Sequence, residues 1–247
     1  MSKILALWHC SRSRSTAFTR MMMERGDFTI LHSPYGARYS HRNRHRRRED
    51  VDPSREVDFD KITNELRTRA QSERLFVKNP ALHFIDSVDG SFLDLFQHSF
   101  LIRQPAQLVA SFLAEWPDLE ADEIGLAELD QMFNMVVDRI GEVPPVIDAD
   151  DLVADPEGTV RAYCTAVGIA FIPEALEWEQ ERKKDFVYLH GTDWHKNLNK
   201  SNGLQATKNP GHPTMENSPR LRELVAIVQP HYDRLASHRI APIAVEQ

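Results

Sequence analysis

Leu-Ala-Leu-Trp-His-Cys-Ser-Arg-Ser-Arg-Ser-Thr-Ala-Phe-Thr-Arg, residues 5–20, is the stretch that decides how this chain is read. Ile4 to Trp8 is a short apolar run of the kind that forms a buried strand. Residues 11–16 then bring together three serines, one threonine and two arginines with no large apolar side chain. Ala17, Met21 and Met22 begin a helical pattern. A strand, a polar turn and a helix together offer backbone N–H groups and hydroxyls to an anion at a helix N-terminus. Arg12 and Arg14 add charge-assisted contacts. The stretch predicts a site for a phosphate-like group at the carboxyl end of a strand.

The pattern repeats outward. Strands are predicted over 4–8, 28–32, 74–78, 98–102 and 144–148. Helices are predicted over 15–25, 59–72, 105–116, up to 140, 156–167, 173–183 and 218–237. Segment 81–88 also reads as helical, and Pro230 should interrupt or kink the last helix. Ser13 or Ser15 is the expected N-cap of the first helix, and Gly26 its stop. Strands alternating with helices give an α/β fold with a central, mainly parallel sheet flanked by helices, and ligands at the strand carboxyl ends. The 9–16 turn, Lys78 and Arg103 each follow a predicted strand, so all three should face one rim.

The 247 residues, 41% of them hydrophobic, are read as a single domain, 1–247, with ample material for a core. No apolar run is long enough to span a membrane. The N-terminus reads as lacking a signal peptide. Cys10 and Cys164, far apart, suit a reducing cytoplasm and supply no metal framework. The net charge of −7 is uneven: six arginines lie in residues 38–48, leaving 24 basic against 37 acidic residues elsewhere. Such a protein is a poor nucleic-acid binder. The basic segment 38–55 reads either as a solvated loop or as an entrance attracting an anionic cofactor or acceptor. Residues 186–215 are polar, irregular and long enough to suggest a mobile or functional segment, such as a lid.

A second anion motif follows the fourth strand. Arg103 stands at its end and Ser111 lies two turns into the next helix, with Gln104, Gln107 and Ser111 sharing a face. Two rival chemistries fail on spacing. A cysteine phosphatase needs arginine six residues after its cysteine, but position 16 is Thr. An ATP-binding loop needs Gly-x4-Gly-Lys-Ser/Thr, yet none of the ten glycines precedes lysine and none lies within residues 1–25. An ATP-dependent small-molecule kinase therefore remains only a distant alternative.

Ser11-Arg12-Ser13-Arg14-Ser15-Thr16-Ala17-Phe18 resembles the 5′-phosphosulfate loop of sulfotransferases that use 3′-phosphoadenosine 5′-phosphosulfate (PAPS), in a bacterial branch reading Pro-Arg-Ser-x-Ser-Thr-Ala-Phe. The segment Phe100 to Ser111 is similar to that family's 3′-phosphate motif, Arg-x-Pro with serine eight residues after the arginine. Residues 150–168 resemble the stretch that commonly follows. The resemblance implies a P-loop-like three-layer fold and a metal-independent enzyme moving a sulfuryl group from PAPS to a hydroxyl or amine of a small molecule, leaving the bisphosphate PAP. It implies that Arg12, Ser13, Arg14, Ser15 and Thr16 hold the 5′-phosphate, with Arg12 and Arg14 also stabilising the bridging oxygen as it leaves, and that Arg103 and Ser111 hold the 3′-phosphate.

The family's Lys-x-His is replaced by Lys78-Asn79-Pro80; Lys78 is expected to reach the leaving oxygen or the sulfonate, while the base stays open among His83, His32 and His9, in that order. Residues 191–203 resemble the family's Trp-Lys-rich closing loop, implicating Trp194, Lys196, Lys200 and Ser201. The basic loop is consistent with an anionic acceptor. A different class, a non-catalytic nucleotide- or anion-binding protein, would depend mainly on residues 38–48.

Overall fold

The computed structural model describes residues 3–43, 54–180, 198, 200–206 and 211–244. Its centre is a five-stranded, all-parallel sheet in the order β2-β3-β1-β4-β5, formed by Ile4–His9 (β1), Thr29–His32 (β2), Leu75–Pro80 (β3), Phe96–Ile102 (β4) and Val146–Asp148 (β5). The chain leaves β1 for the far edge, returns to fill the gap with β3, then crosses to the other side. The carboxyl end of β1 is therefore a crevice between oppositely directed connections, where open α/β sheets take ligands.

β1 is buried along its whole length, and its side chains alternate between two cores. Leu5 and Leu7 face α1 (Ser15–Glu24), α7 (Ala149–Ala154) and α8 (Pro156–Ala166), where Phe18 meets Tyr163 edge-on at 4.9 Å. Ile4, Ala6 and Trp8 face α3 (Phe59–Arg69), α5 (Pro105–Leu113), α6 (Leu126–Ile140) and α9 (Pro219–Ala236). On that side Trp8 packs against Phe84, Phe92 and Phe96 and donates its Nε1–H to His98 Nδ1 at 2.9 Å. Each such buried ring contributes about 1.5–3 kcal/mol, so the strand that carries the site is rigidly seated.

Two edges need cover. β2 is only half-buried, whereas the β5 edge is met by the chain after α9, with Ile240 N–H donating to the Val146 carbonyl at 2.9 Å. α9 runs unbroken through Pro230, and Ser218 caps its start by accepting from Leu221 N–H at 3.1 Å. No helix among the described residues is long and apolar enough to cross a membrane.

Several expected elements differ. The helix expected over 173–183 is only a 3-10 turn, Pro173–Leu176, because Glu177 bridges Gly203 and Trp178 N–H donates to the Asn202 carbonyl; residues 181–183 lie outside the described set. Segment 81–88 is two 3-10 turns, Ala81–His83 and Ile85–Ser87, and a short helix, α4 (Gly90–Leu93), precedes β4. The basic segment begins as a helix, α2 (Gly36–Asn43), not as a loop.

Candidate functional site

The turn after β1 is shaped by two residues in an unusual conformation. Arg12 and Arg14 both lie in the left-handed region, with φ of 66° and 65°, while Ser13 between them does not. Alternation of left-handed and ordinary residues is the backbone pattern of concavities in which successive N–H groups converge on an anion. Left-handed backbone ordinarily selects glycine, because a Cβ there costs about 1–2 kcal/mol per residue. Arg14 is also the N-cap of α1 and makes no side-chain cap, so the expected serine caps are corrected: Ser15 is the first helical residue and Ser13 lies before the cap. Ser15 and Thr16 open the first turn of α1 directly after this loop, at the positive end of the helix dipole.

β1 and β4 are neighbours in register, His9 beside Leu101, and this brings the second motif onto the first. Arg103, only 7% exposed, donates to the Arg12 carbonyl at 2.8 Å and to Gln107 Oε1 at 3.2 Å. Arg12 Nε donates to Ser111 Oγ at 2.9 Å. Gln107 in turn donates to Asp150, the carboxylate that acts on Arg14 and Arg103, while Glu115 acts on Arg12. Burial, and then the charges of Arg14 and Arg12, pull the Arg103 guanidinium down to about 10, with Asp150 opposing. Arg12 and Arg14 are lowered by burial too.

Three guanidinium groups thus converge with little compensating negative charge. Inside this cluster the Ser13 hydroxyl, Arg14 Nε and Arg103 Nε are buried without a hydrogen-bond partner. Buried polar atoms are nearly always satisfied, and each of these three is able to donate a hydrogen bond to an anion.

A second group flanks the loop across β1. Parallel register sets His32 beside Lys78 and His9 beside Pro80, and alternation puts His9, His32 and Lys78 on the α1 side of the sheet. Lys78 Nζ lies 3.2 Å from His32 Nε2, and burial brings its amine down to about 7. His9 Nδ1–H donates to the Cys10 carbonyl at 2.7 Å, which leaves its Nε2 lone pair free in a buried position. Burial, then Lys78, holds His9 well below its usual range. His83 stacks on Tyr39 of α2 at 4.6 Å and acts electrostatically on His9. Cys10 is pushed up to about 12 by burial, a thiol unsuited to nucleophilic work.

Of the closing segment, Trp194 and Lys196 lie outside the described residues. Lys200 is exposed, and the Ser201 hydroxyl is committed locally, donating to the Leu198 carbonyl at 2.8 Å and accepting from Trp178 Nε1 at 3.3 Å. The segment does reach the loop, but through a backbone group: Arg14 donates to the Gln205 carbonyl at 3.0 Å. His212 was not singled out in the sequence, yet its ring is held below its usual range by burial and then by Arg12 and Arg103. Only its place in the irregular segment marked it. In the basic stretch, Arg38 donates to Ser87 Oγ at 2.7 Å and Arg42 pairs with Asp86, so both are tied to the turn beneath them. Residues 44–53 lie outside the described set. Among the described residues, no cluster of three or more His, Cys, Asp or Glu is arranged to hold a metal ion.

The family model described as "Sulfotransferase domain" matches residues 2–238. Two Arabidopsis thaliana proteins, branched-chain-amino-acid aminotransferase-like proteins 2 and 1, are each 26% identical over 207 and 210 residues. The matches take in 83% of this chain but only 36% and 37% of theirs, so the chain spans little over a third of those relatives' length. Among solved structures, the sulfotransferase domain from the curacin biosynthetic pathway aligns with a TM-score of 0.51 at 14% identity, over 93% of this chain and 98% of that one. The sulfotransferase domain from the Synechococcus PCC 7002 olefin synthase aligns with a TM-score of 0.51 at 15% identity, over 92% and 96%. At such identities the likeness is one of fold.

Proposed function

The chain belongs to the sulfotransferase domain family, and from that membership we propose that its donor is PAPS and that it sulfonates a hydroxyl or amine of a small-molecule acceptor. The observation that carries this reading is the convergence of Arg12, Arg14 and Arg103 around three buried, unpartnered polar atoms at the start of α1. When bound, PAPS supplies a sulfonate activated by its anhydride bond to phosphate. The loop N–H groups, with Arg12, Ser13, Arg14, Ser15 and Thr16, hold the 5′-phosphate. Arg103 and Ser111 hold the 3′-phosphate. Arg12, whose Nε already bonds Ser111, ties the two positions together.

Sulfuryl transfer, like phosphoryl transfer, is governed by positioning and by stabilising the charge that develops on the leaving oxygen. Preformed guanidinium and N–H donors in a buried loop meet that need without reorganisation. Lys78 stands across β1 from the 3′ side, beside His32, and His83 acts on His9 of the same group, so this cluster offers the groups that can take the acceptor's proton. The reading includes a metal-independent reaction in the cytoplasm.

The test is to incubate the protein with sulfur-labelled PAPS and a small-metabolite fraction. Label should pass to a new product in step with PAP release, and Arg12→Ala should slow this by about a hundredfold or more. Release of PAP no faster than in protein-free buffer, with all label left on PAPS, would overturn the proposal.

A further inference from the structure

The family's Lys-x-His has lost its histidine here, since Pro80 stands where it would be. Lys78 itself, however, sits in an environment that suits an uncharged amine. The residue is 5% exposed, on a strand buried along its whole length. Among the described residues its one hydrogen-bond partner is an imidazole nitrogen, His32 Nε2 at 3.2 Å, and no carboxylate pairs with it. The other titratable groups close to this cluster are His9 from β1 and His83 from the turn after β3, neither of which supplies negative charge, while Glu56 and Glu65 lie beyond His32 in the same cavity wall as Arg55 and Arg69. A buried ammonium in such company lacks a counter-ion, and the cheaper state is the free amine. His32 has a route to solvent, because it also borders a cavity of about 290 Å³ between β2 and α3, floored by Ile30, Leu31, Ile62 and Leu66.

Resting on the PAPS reading above, we propose that Lys78 is the proton acceptor of the transfer: an unprotonated amine in the free protein, oriented by donating one N–H to His32, that leaves the reaction as an ammonium beside the product nucleotide. The acceptor's O–H or N–H bond breaks and its proton goes to the Nζ lone pair. The acceptor atom bonds sulfur, and the bond from sulfur to the bridging oxygen breaks with its electron pair kept by the 5′-phosphate. One residue thus removes the proton and then, newly charged, balances the leaving phosphate. Burial brings the Lys78 amine down to about 7, which suits a base working near neutral pH. His9 is the rival, but its free Nε2 is sealed within the protein, 1% exposed.

The consequence can be read without knowing the acceptor. The complex with PAP must contain a proton that the free protein lacks, and when PAP alone binds, that proton comes from the buffer. Calorimetric titration with PAP in buffers of different ionisation heat counts it. At about pH 8 both phosphates of PAP are already fully ionised, so they contribute little to the count. The wild type should take up nearly one proton per PAP bound at about pH 8, falling toward none by about pH 6. Lys78→Arg keeps the positive charge but cannot titrate, so it should bind PAP within several-fold of wild type and take up none. His9→Gln should leave the uptake intact.

A buffer-independent enthalpy in the wild type at about pH 8, or uptake that persists in Lys78→Arg, would overturn the proposal. If Lys78→Arg does not fold, the wild-type series decides alone: uptake that grows toward acid pH assigns the proton to an imidazole or a phosphate instead. Failure of PAP to bind at all would overturn the underlying cofactor reading, a different outcome from binding without uptake.

Discussion

Arg14 offers a test of the loop geometry that needs no ligand. It caps α1 with φ 65° and ψ 11°, in the left-handed region, and its guanidinium donates to the Gln205 carbonyl at 3.0 Å. Arg14→Gly and Arg14→Ala both remove that bond, so its loss cancels when the two variants are compared with each other. What remains is the backbone. Alanine keeps a Cβ in a conformation costing about 1–2 kcal/mol relative to glycine, and it is also the poorer N-cap. Glycine returns part of this, roughly 0.5–1 kcal/mol, through the greater freedom of its unfolded chain. The glycine variant should therefore be the more stable by about 1 kcal/mol, or roughly 2–4 °C in melting temperature for a protein of this size. Calorimetry or chemical denaturation of the pair measures the difference. Equal stability, or alanine above glycine, would refute the left-handed turn and with it the concavity of N–H groups.

Three further outcomes follow from buried polar groups. Ser13→Ala removes a hydroxyl that has no partner in the nucleotide-free protein, so denaturation should show unchanged or slightly raised stability while PAP affinity falls by about tenfold. Lys78 binds fewer protons folded than unfolded between about pH 7, its folded value, and its ordinary 10.5, so wild-type stability should climb across that window. Lys78→Met should flatten the climb and be the more stable at neutral pH by on the order of 3–4 kcal/mol, seen as a higher melting temperature. Tyr232 donates its hydroxyl to buried Asp148 at 2.6 Å, and burial holds that carboxyl above its usual range. Native Asp148 therefore keeps its proton longer than the unfolded chain does, and stability drops as pH rises between the two values; Tyr232→Phe should cost about 1–3 kcal/mol in denaturant titration, more once Asp148 is ionised.

Much of the fold was legible because its strands are short, apolar and separated by amphipathic helices. Ile4–His9, Thr29–His32, Leu75–Pro80, Phe96–Ile102 and Val146–Asp148 all fall within two residues of where hydrophobic pattern puts them. Pattern misled where long-range pairing overrides local preference. Residues 173–180 carry helical spacing, yet Trp178 and Glu177 are recruited by the returning chain at 202–203. The residue types of the candidate site were likewise readable, since serines and arginines with no apolar neighbour suit few other purposes.

Their conformation was not. Nothing in a run without glycine announces left-handed arginines at 12 and 14, because that geometry is enforced by the strand and helix on either side. Nor could the sequence show that Lys78 faces an imidazole and no carboxylate. That depends on the register of β2 against β3, which sets residue 32 beside residue 78. His212 and the Gln205 carbonyl join the loop from a segment with no period to read.

The most direct measurement of the central claim is calorimetric binding of PAP, with AMP and ADP as controls, to the wild type and to Arg103→Ala. The account predicts that PAP binds far more tightly than either control and that Arg103→Ala abolishes the preference while leaving the weaker binding of AMP largely intact. Equal binding of all three nucleotides, or a preference that survives loss of Arg103, would contradict the assignment of this site to a 3′-phosphorylated donor.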